Sequence, residues 1–318
     1  MLKRVPISLD ELLDAYPVAR VKPSCLDHET FVTSIRNRKP VILDGAARHW
    51  LGISEKCGPI KTILESLDEC DVDILIALDG RNFLKHSLCT TEVVSLKCGM
   101  KAILSDEDEA SSTFSDYPNC RLPGRRYIRT YFDLHSKLLG CIDLSYLALL
   151  VSSVTSAQSE TASDAKLTKS SNDYSGPFKL KNIGLWTSSK GCITPLHFDR
   201  CHGFLAQIVG HKTFLMASCS ESALLRYWKD KIHDSNENGT TSSIDLGLWL
   251  EGDITERRKY PLVDEVAWFI ASLHPGDILY TPPGWWHYVI SETISVSVLI
   301  PFDPLPSLET LPTNVLTS

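Results

Sequence analysis

From Ile183 to Ile300 the chain is a succession of short β-rich runs broken by glycine, proline and other turn residues: IGLWTS, CITPLHFD, FLAQIVG, KTFLMAS, EVAWFIASL, GDILYT, WWHYVI and ISVSVLI. Long helical patterns are nearly absent from this part of the sequence. A parallel sheet needs a crossover helix between strands, so runs this short and closely spaced predict a sandwich or jelly roll.

The sequence before this region is mixed. Ser8 with Glu11 three positions later has the spacing of a capping box and predicts a short helix over residues 8–16. Residues 39–43 (KPVIL) predict a strand ending in the Asp44-Gly45 turn, 60–67 a helix and 72–78 a strand. Three polar stretches, 105–119, 152–176 and 230–243, carry too few large apolar side chains to offset the entropy of ordering, and are expected as mobile loops.

At 43% hydrophobic the 318-residue chain can build a sizeable core, while its formal net charge of −7 gives no overall positive field for nucleic acid or an anionic membrane. The ten cysteines are scattered singly without a CxxC pair, which predicts reduced thiols rather than a disulfide scaffold. The first residues lack the apolar core of a secretory signal. The longest apolar run, 146–151, is far below the ~20 residues of a membrane helix. The expected location is intracellular, cytoplasmic or nuclear, with no membrane partner.

Within the second β-rich run, His197 and Asp199 flank Phe198, and alternation along a strand points both ligand-capable groups the same way. A third candidate, His287, stands at the start of a later strand. A lone strand histidine is ordinarily a hydrogen-bonded core residue and His-x-Asp alone is unspecific, so the weight rests on the trio. His202 and His211 have ligand chemistry but not the one-residue spacing. Two imidazoles and one carboxylate on one side of a metal leave the opposite positions open, the arrangement of non-haem Fe(II) oxygenases. Trp285 and Trp286, as strand neighbours, face opposite ways, and each is expected in a core.

The run GCITPLHFDRCHGFLAQIVGHKTFLM at 191–216, followed by HPGDILYTPPGWWHYV at 274–289, resembles the core of JmjC-domain hydroxylases. It is most similar to the JmjC-only group that includes the asparaginyl hydroxylase of hypoxia-inducible factor and the wybutosine-tRNA hydroxylase. RKPVILDGAARHW at 38–50 resembles more weakly a segment that precedes the barrel in these enzymes. The resemblance implies a double-stranded β-helix of the cupin type. It also implies Fe(II) held by His197, Asp199 and His287, with 2-oxoglutarate and O2 as cosubstrates. Lys212 and Thr194 match residues that hold the distal carboxylate of 2-oxoglutarate; Tyr127 and Ser297 fall where relatives reach the cosubstrate. Gly203 departs from the pattern, because several relatives carry asparagine at that place.

The organisation this implies is mainly β with an N-terminal α/β extension. An N-terminal region, 1–115, would pack on the barrel; a JmjC catalytic domain, 116–303, would carry a serine-rich insertion at 152–176; and a tail would follow at 304–318. The expected activity is hydroxylation of a macromolecule, first of a protein side chain. The alternatives are a tRNA-base hydroxylase, to which a basic groove around Arg121, Arg125, Arg126 and Arg129 would point, a lysine demethylase, and a non-catalytic binding module. A monomer or weak dimer is expected.

Overall fold

A computed structural model describes residues 14–23, 39–53, 58–67, 69–77, 83, 89–104, 124–132, 137–156, 183–223, 225 and 240–302. The expected loop at 105–119, most of the helix at 8–16, Arg121 and the tail at 304–318 lie outside the described residues. Residues 14–16 form a turn leading into a strand.

Among the described residues fourteen strands, numbered in chain order, form two sheets. The smaller has the order β1 (Tyr16–Pro17), β11 (Trp268–Leu273), β10 (Lys212–Ala217), β13 (Trp286–Ser291), β8 (Ile193–Phe198). The larger runs β2 (Arg20–Val21), β3 (Val41–Leu43), β12 (Ile278–Thr281), β9 (His202–Val209), β14 (Ser295–Phe302), β7 (Ile183–Ser188), β6 (Arg125–Phe132), β4 (Asp71–Ala77), β5 (Thr90–Ser95). Every pairing is antiparallel except β1 with β11 and β2 with β3. Each of the eight runs from Ile183 onward forms a strand, and successive strands cross between the sheets as in a jelly roll, except β10 and β11, which lie side by side in the smaller one.

Three apolar layers hold the sheets. Helices α1 (Gly58–Ser66), α2 (Leu96–Leu104) and α3 (Ser145–Ser156) cover the outer face of the larger sheet, burying Ile63, Met100 and Leu147 with Phe204, Ile208, Val296 and Val298. On α2 the buried Leu96, Gly99, Met100 and Ile103 recur at helical spacing, which explains why this segment coils and which face it hides. The smaller sheet is backed by α4 (Leu246–Leu250), with Trp249, Trp268, Trp286 and Tyr288 in one cluster. Between the sheets lie Leu205, Phe214, Met216, Leu279, Trp285 and Val289. Each large apolar side chain so buried contributes about 1.5–3 kcal/mol.

Of the polar stretches expected as loops, residues 152–156 and 240–243 are ordered, while 157–176 and 230–239 lie outside the described residues. α3 continues through Ser156, so residues 152–156 are helical; the apolar run before them anchors a helix that the following serines and threonine prolong by its last turns. At the end of the third stretch, Thr240 and Ser242 pair by backbone hydrogen bonds with Phe198 and Leu196, closing the free edge of β8. An unpaired edge is a liability, and backbone pairing there does not depend on side-chain hydrophobicity. Among the described residues, no helix is long and apolar enough to cross a membrane.

Candidate metal centre and cosubstrate pocket

His197 on β8 and His287 on β13 are direct cross-strand partners, and Asp199 follows one residue after the end of β8. The three offer ligand atoms that all lie within 4.8 Å of one another. His287 Nε2 is 3.8 Å from Asp199 Oδ2. The Gly284 amide donates to the Asp199 carbonyl at 2.8 Å, tying the turn before β13 to the end of β8. Gly284 has φ 78°, a conformation costly for any residue with a Cβ.

Both imidazoles are oriented by the same device. His197 Nδ1 donates to the Pro195 carbonyl at 2.7 Å and His287 Nδ1 to the Trp285 carbonyl at 3.0 Å. A carbonyl only accepts, so each Nδ1 carries the proton and each Nε2 presents its lone pair. Burial, then the neighbouring His287, pushes the His197 pKa down to about 3, which keeps this ring neutral as a ligand must be. The donor set therefore fits a divalent metal held from one side.

The pocket beside this trio is lined by Tyr127, Trp186, Thr194, Gly203, Leu205, Lys212, Phe214, Thr281, Val289 and Leu299 besides His197, Asp199 and His287. Lys212, at the start of β10, is 3% exposed, and no carboxylate pairs with it among the described residues. Burial lowers its pKa to about 8. A buried amine without a counter-charge is costly unless an anion enters, so the residues present fit a dicarboxylate with one end at Lys212. Thr194 and Tyr127 lie together, their hydroxyls hydrogen-bonded, and burial raises the Tyr127 phenol to about 12. It stays a neutral donor at physiological pH.

The structure brings Thr194, Lys212 and Tyr127 to the pocket with His197, Asp199 and His287. It places Ser297 nearby but not in the lining: this buried hydroxyl donates to Gln207 Oε1 at 2.9 Å. His202 points to the other face of β9, bonded to Tyr280 and stacked between Tyr280 and Phe302, and His211 is exposed against His274. Neither competes as a ligand. Trp285 packs on Phe269 between the sheets, and Trp286 packs edge-on to Phe198 with its Nε1 donating to Ser222 Oγ; both are core residues on opposite faces.

Sequence reasoning missed Trp186, Phe214, Thr281 and Leu299. Their inward alternation was visible, but which strands curl around the pocket was not. It also missed a β-bulge on β8. His287 pairs with His197 while Val289 pairs with Thr194, so three steps on β8 face two on β13. The extra residue brings Thr194 and His197 to one face despite their odd spacing.

Two histidines and a carboxylate at the mouth of this double-sheet barrel define a cupin-type protein with a candidate metal centre. A profile of the cupin-like domain matches residues 28–307, and the chain belongs to that family. It is 35% identical over 131 residues to Jumonji C domain-containing protein 5 of Drosophila melanogaster, covering 41% of this chain and 29% of that protein. It is 34% identical over 125 residues to Lysine-specific demethylase JMJ30 of Arabidopsis thaliana, covering 39% of this chain and 27% of the relative. Identity to human tRNA wybutosine-synthesizing protein 5 is 32% over 136 residues, 42% of this chain and 36% of the relative. The matched segment thus spans little more than a third of these relatives' own length, or less.

Proposed function

We propose that the chain is an Fe(II)- and 2-oxoglutarate-dependent oxygenase that hydroxylates a C–H bond of a macromolecule, foremost a protein side chain. The observation that carries this is the pairing, in one pocket, of a facial metal-ligand trio with a buried lysine that has no carboxylate partner among the described residues. Bound iron would couple oxidative decarboxylation of 2-oxoglutarate by O2, yielding succinate and CO2, to insertion of the second oxygen atom into substrate.

The protein's own contribution is placement. His197, Asp199 and His287 hold the metal from one side and leave the other for the cosubstrate. Lys212 pairs with the far carboxylate, with Thr194 and Tyr127 as neutral donors beside it. Phe214, Leu205, Val289 and Leu299 form an apolar wall that excludes water from the reacting groups.

A relative named a demethylase differs in this reading by the substrate alone. Among the described lining residues Asp199 is the one carboxylate, and in this reading it is a metal ligand, so none of them is set aside to balance a methylammonium group; this supports hydroxylation. Succinate formation from 2-oxoglutarate by purified, iron-loaded protein tests the reading. Its absence, with iron bound, would favour a binding module instead.

A further inference from the structure

We propose that Arg129, two residues along β6 from the pocket residue Tyr127 and on the same face, is a specificity-determining residue that anchors a carboxylate of an acidic peptide substrate. The inference rests on the oxygenase reading for the use of the site, but not for the binding it predicts.

On β6, the residues Tyr127, Arg129 and Tyr131 share one face and stand opposite Ser188, Trp186 and Gly184 of β7. Tyr127 lies in the pocket and Tyr131 is 56% exposed, so Arg129 occupies the step between interior and solvent. It is half-buried, and its charge reaches both Tyr127 and His197. Among the described residues no carboxylate forms an ion pair with it. Arg125, on the same face at the other end of β6, differs: its guanidinium donates to the Gly191 carbonyl.

Directly across from Arg129 stands Trp186, a residue of the pocket lining. Its Nε1 is buried and has no hydrogen-bond partner among the described residues. It lies over Gly184, where a Cβ would come within 3.0 Å of it. Cross-strand partners hold their Cβ atoms ~5 Å apart, so the Arg129 side chain leaves the sheet beside the indole. A carboxylate entering there would meet the guanidinium as its donor.

The cosubstrate does not use this charge. Asp199 and the two carboxylates of 2-oxoglutarate balance a divalent metal and the Lys212 ammonium, which leaves Arg129 over. A phosphate would satisfy the same donors, but the chain's net charge of −7 opposes a polyanion over distance, whereas one carboxylate in a peptide needs only the local contact.

The test uses a pool of synthetic dodecapeptides with randomised positions and a pool of random RNA oligonucleotides. Each is applied to the full chain loaded with zinc and 2-oxoglutarate and scored for binding, then to the iron form in air and scored by mass spectrometry for one added oxygen. With wild-type protein, peptides carrying Asp or Glu are expected to be enriched about tenfold over their Lys and Arg counterparts, the factor of one charge-assisted hydrogen bond. In Arg129→Glu the preference, normalised within the variant, is expected to invert. An unchanged residue profile in Arg129→Glu, no peptide selection in either form, or selection of RNA instead overturns the proposal. Acidic selection that inverts on zinc-loaded protein without succinate formation on iron would uphold it and sink the oxygenase reading; succinate with an indifferent profile does the reverse.

Discussion

His197 and His287 face each other across the β8–β13 ladder with ring centroids 4.1 Å apart, and each is held by a hydrogen bond from Nδ1 to the carbonyl two residues upstream. Backbone carbonyls on two paired strands thus fix both tautomers and both ring planes, and Asp199 completes the set from the end of the same ladder. Replacing His197 or Asp199 by alanine is expected to abolish both iron retention through gel filtration and 2-oxoglutarate turnover, because two protein ligands hold Fe(II) poorly. Metal analysis of the eluted protein checks it, and a variant that keeps stoichiometric iron would remove that residue from the centre.

Lys212→Ala should spare iron and raise the 2-oxoglutarate requirement by about 10–100-fold, the range of a lost charged hydrogen bond. The lysine also sets a pH dependence. Its folded pKa, about 8, lies below the ordinary 10.5, so the unfolded chain binds the proton more tightly. Without cosubstrate, stability therefore gains as pH rises from about 8 toward 10.5, and that gain is lost as pH falls back through 8. Cosubstrate binding has the opposite slope, since the dicarboxylate needs the ammonium form: affinity should weaken above pH 8. Calorimetric titration across pH 7–10 should show this in wild type and a flat profile in Lys212→Met.

Gly203 lines the pocket where several members of the resembled group carry asparagine, and a Cβ built there meets only Leu299 Cδ1 at 3.5 Å, ordinary contact. Gly203→Asn should therefore fold with a melting temperature within a few degrees of wild type and lower the 2-oxoglutarate requirement by supplying a further polar group. A requirement that stays the same would show that this wall does not touch the cosubstrate.

Gly210 turns β9 into β10 at φ 71°, and a Cβ there would run into the Ile294 carbonyl. Gly210→Ala should cost about 2 kcal/mol or more, combining left-handed strain with a backbone clash. Because the turn sets where β10 begins, Lys212 would shift with it. Thermal unfolding and cosubstrate titration of the same variant should both change; an unaltered melting temperature would contradict the packing described.

Much of this was legible before any coordinates, for reasons that differ by residue. The strands from Ile183 onward announce themselves because both their faces are buried and turn residues bound them, and the spacing of His197 and Asp199 follows from strand alternation. Helix α2 carries its helical stripe in the sequence as well, at Leu96, Gly99, Met100 and Ile103. The pairing of Thr240 and Ser242 with β8 left no trace because it is made by backbone atoms. The bulge that aligns Thr194 with His197 breaks the period-two rule locally, and the encirclement that brings Trp186 and Thr281 to the pocket depends on sheet order, which periodicity does not encode. His202, suggested by proximity in sequence, is excluded by the same alternation that favours Gly203.

The most direct measurement is an anaerobic titration of iron-loaded protein with 2-oxoglutarate, followed by visible absorption. Chelation of the keto acid to ferrous iron gives a charge-transfer band that neither component shows alone. That band is expected in wild type, absent in Asp199→Ala and His287→Ala, and present in Lys212→Ala only at higher 2-oxoglutarate. Iron-bound wild-type protein that gives no band at saturating 2-oxoglutarate would contradict the assignment of this pocket to an oxygenase.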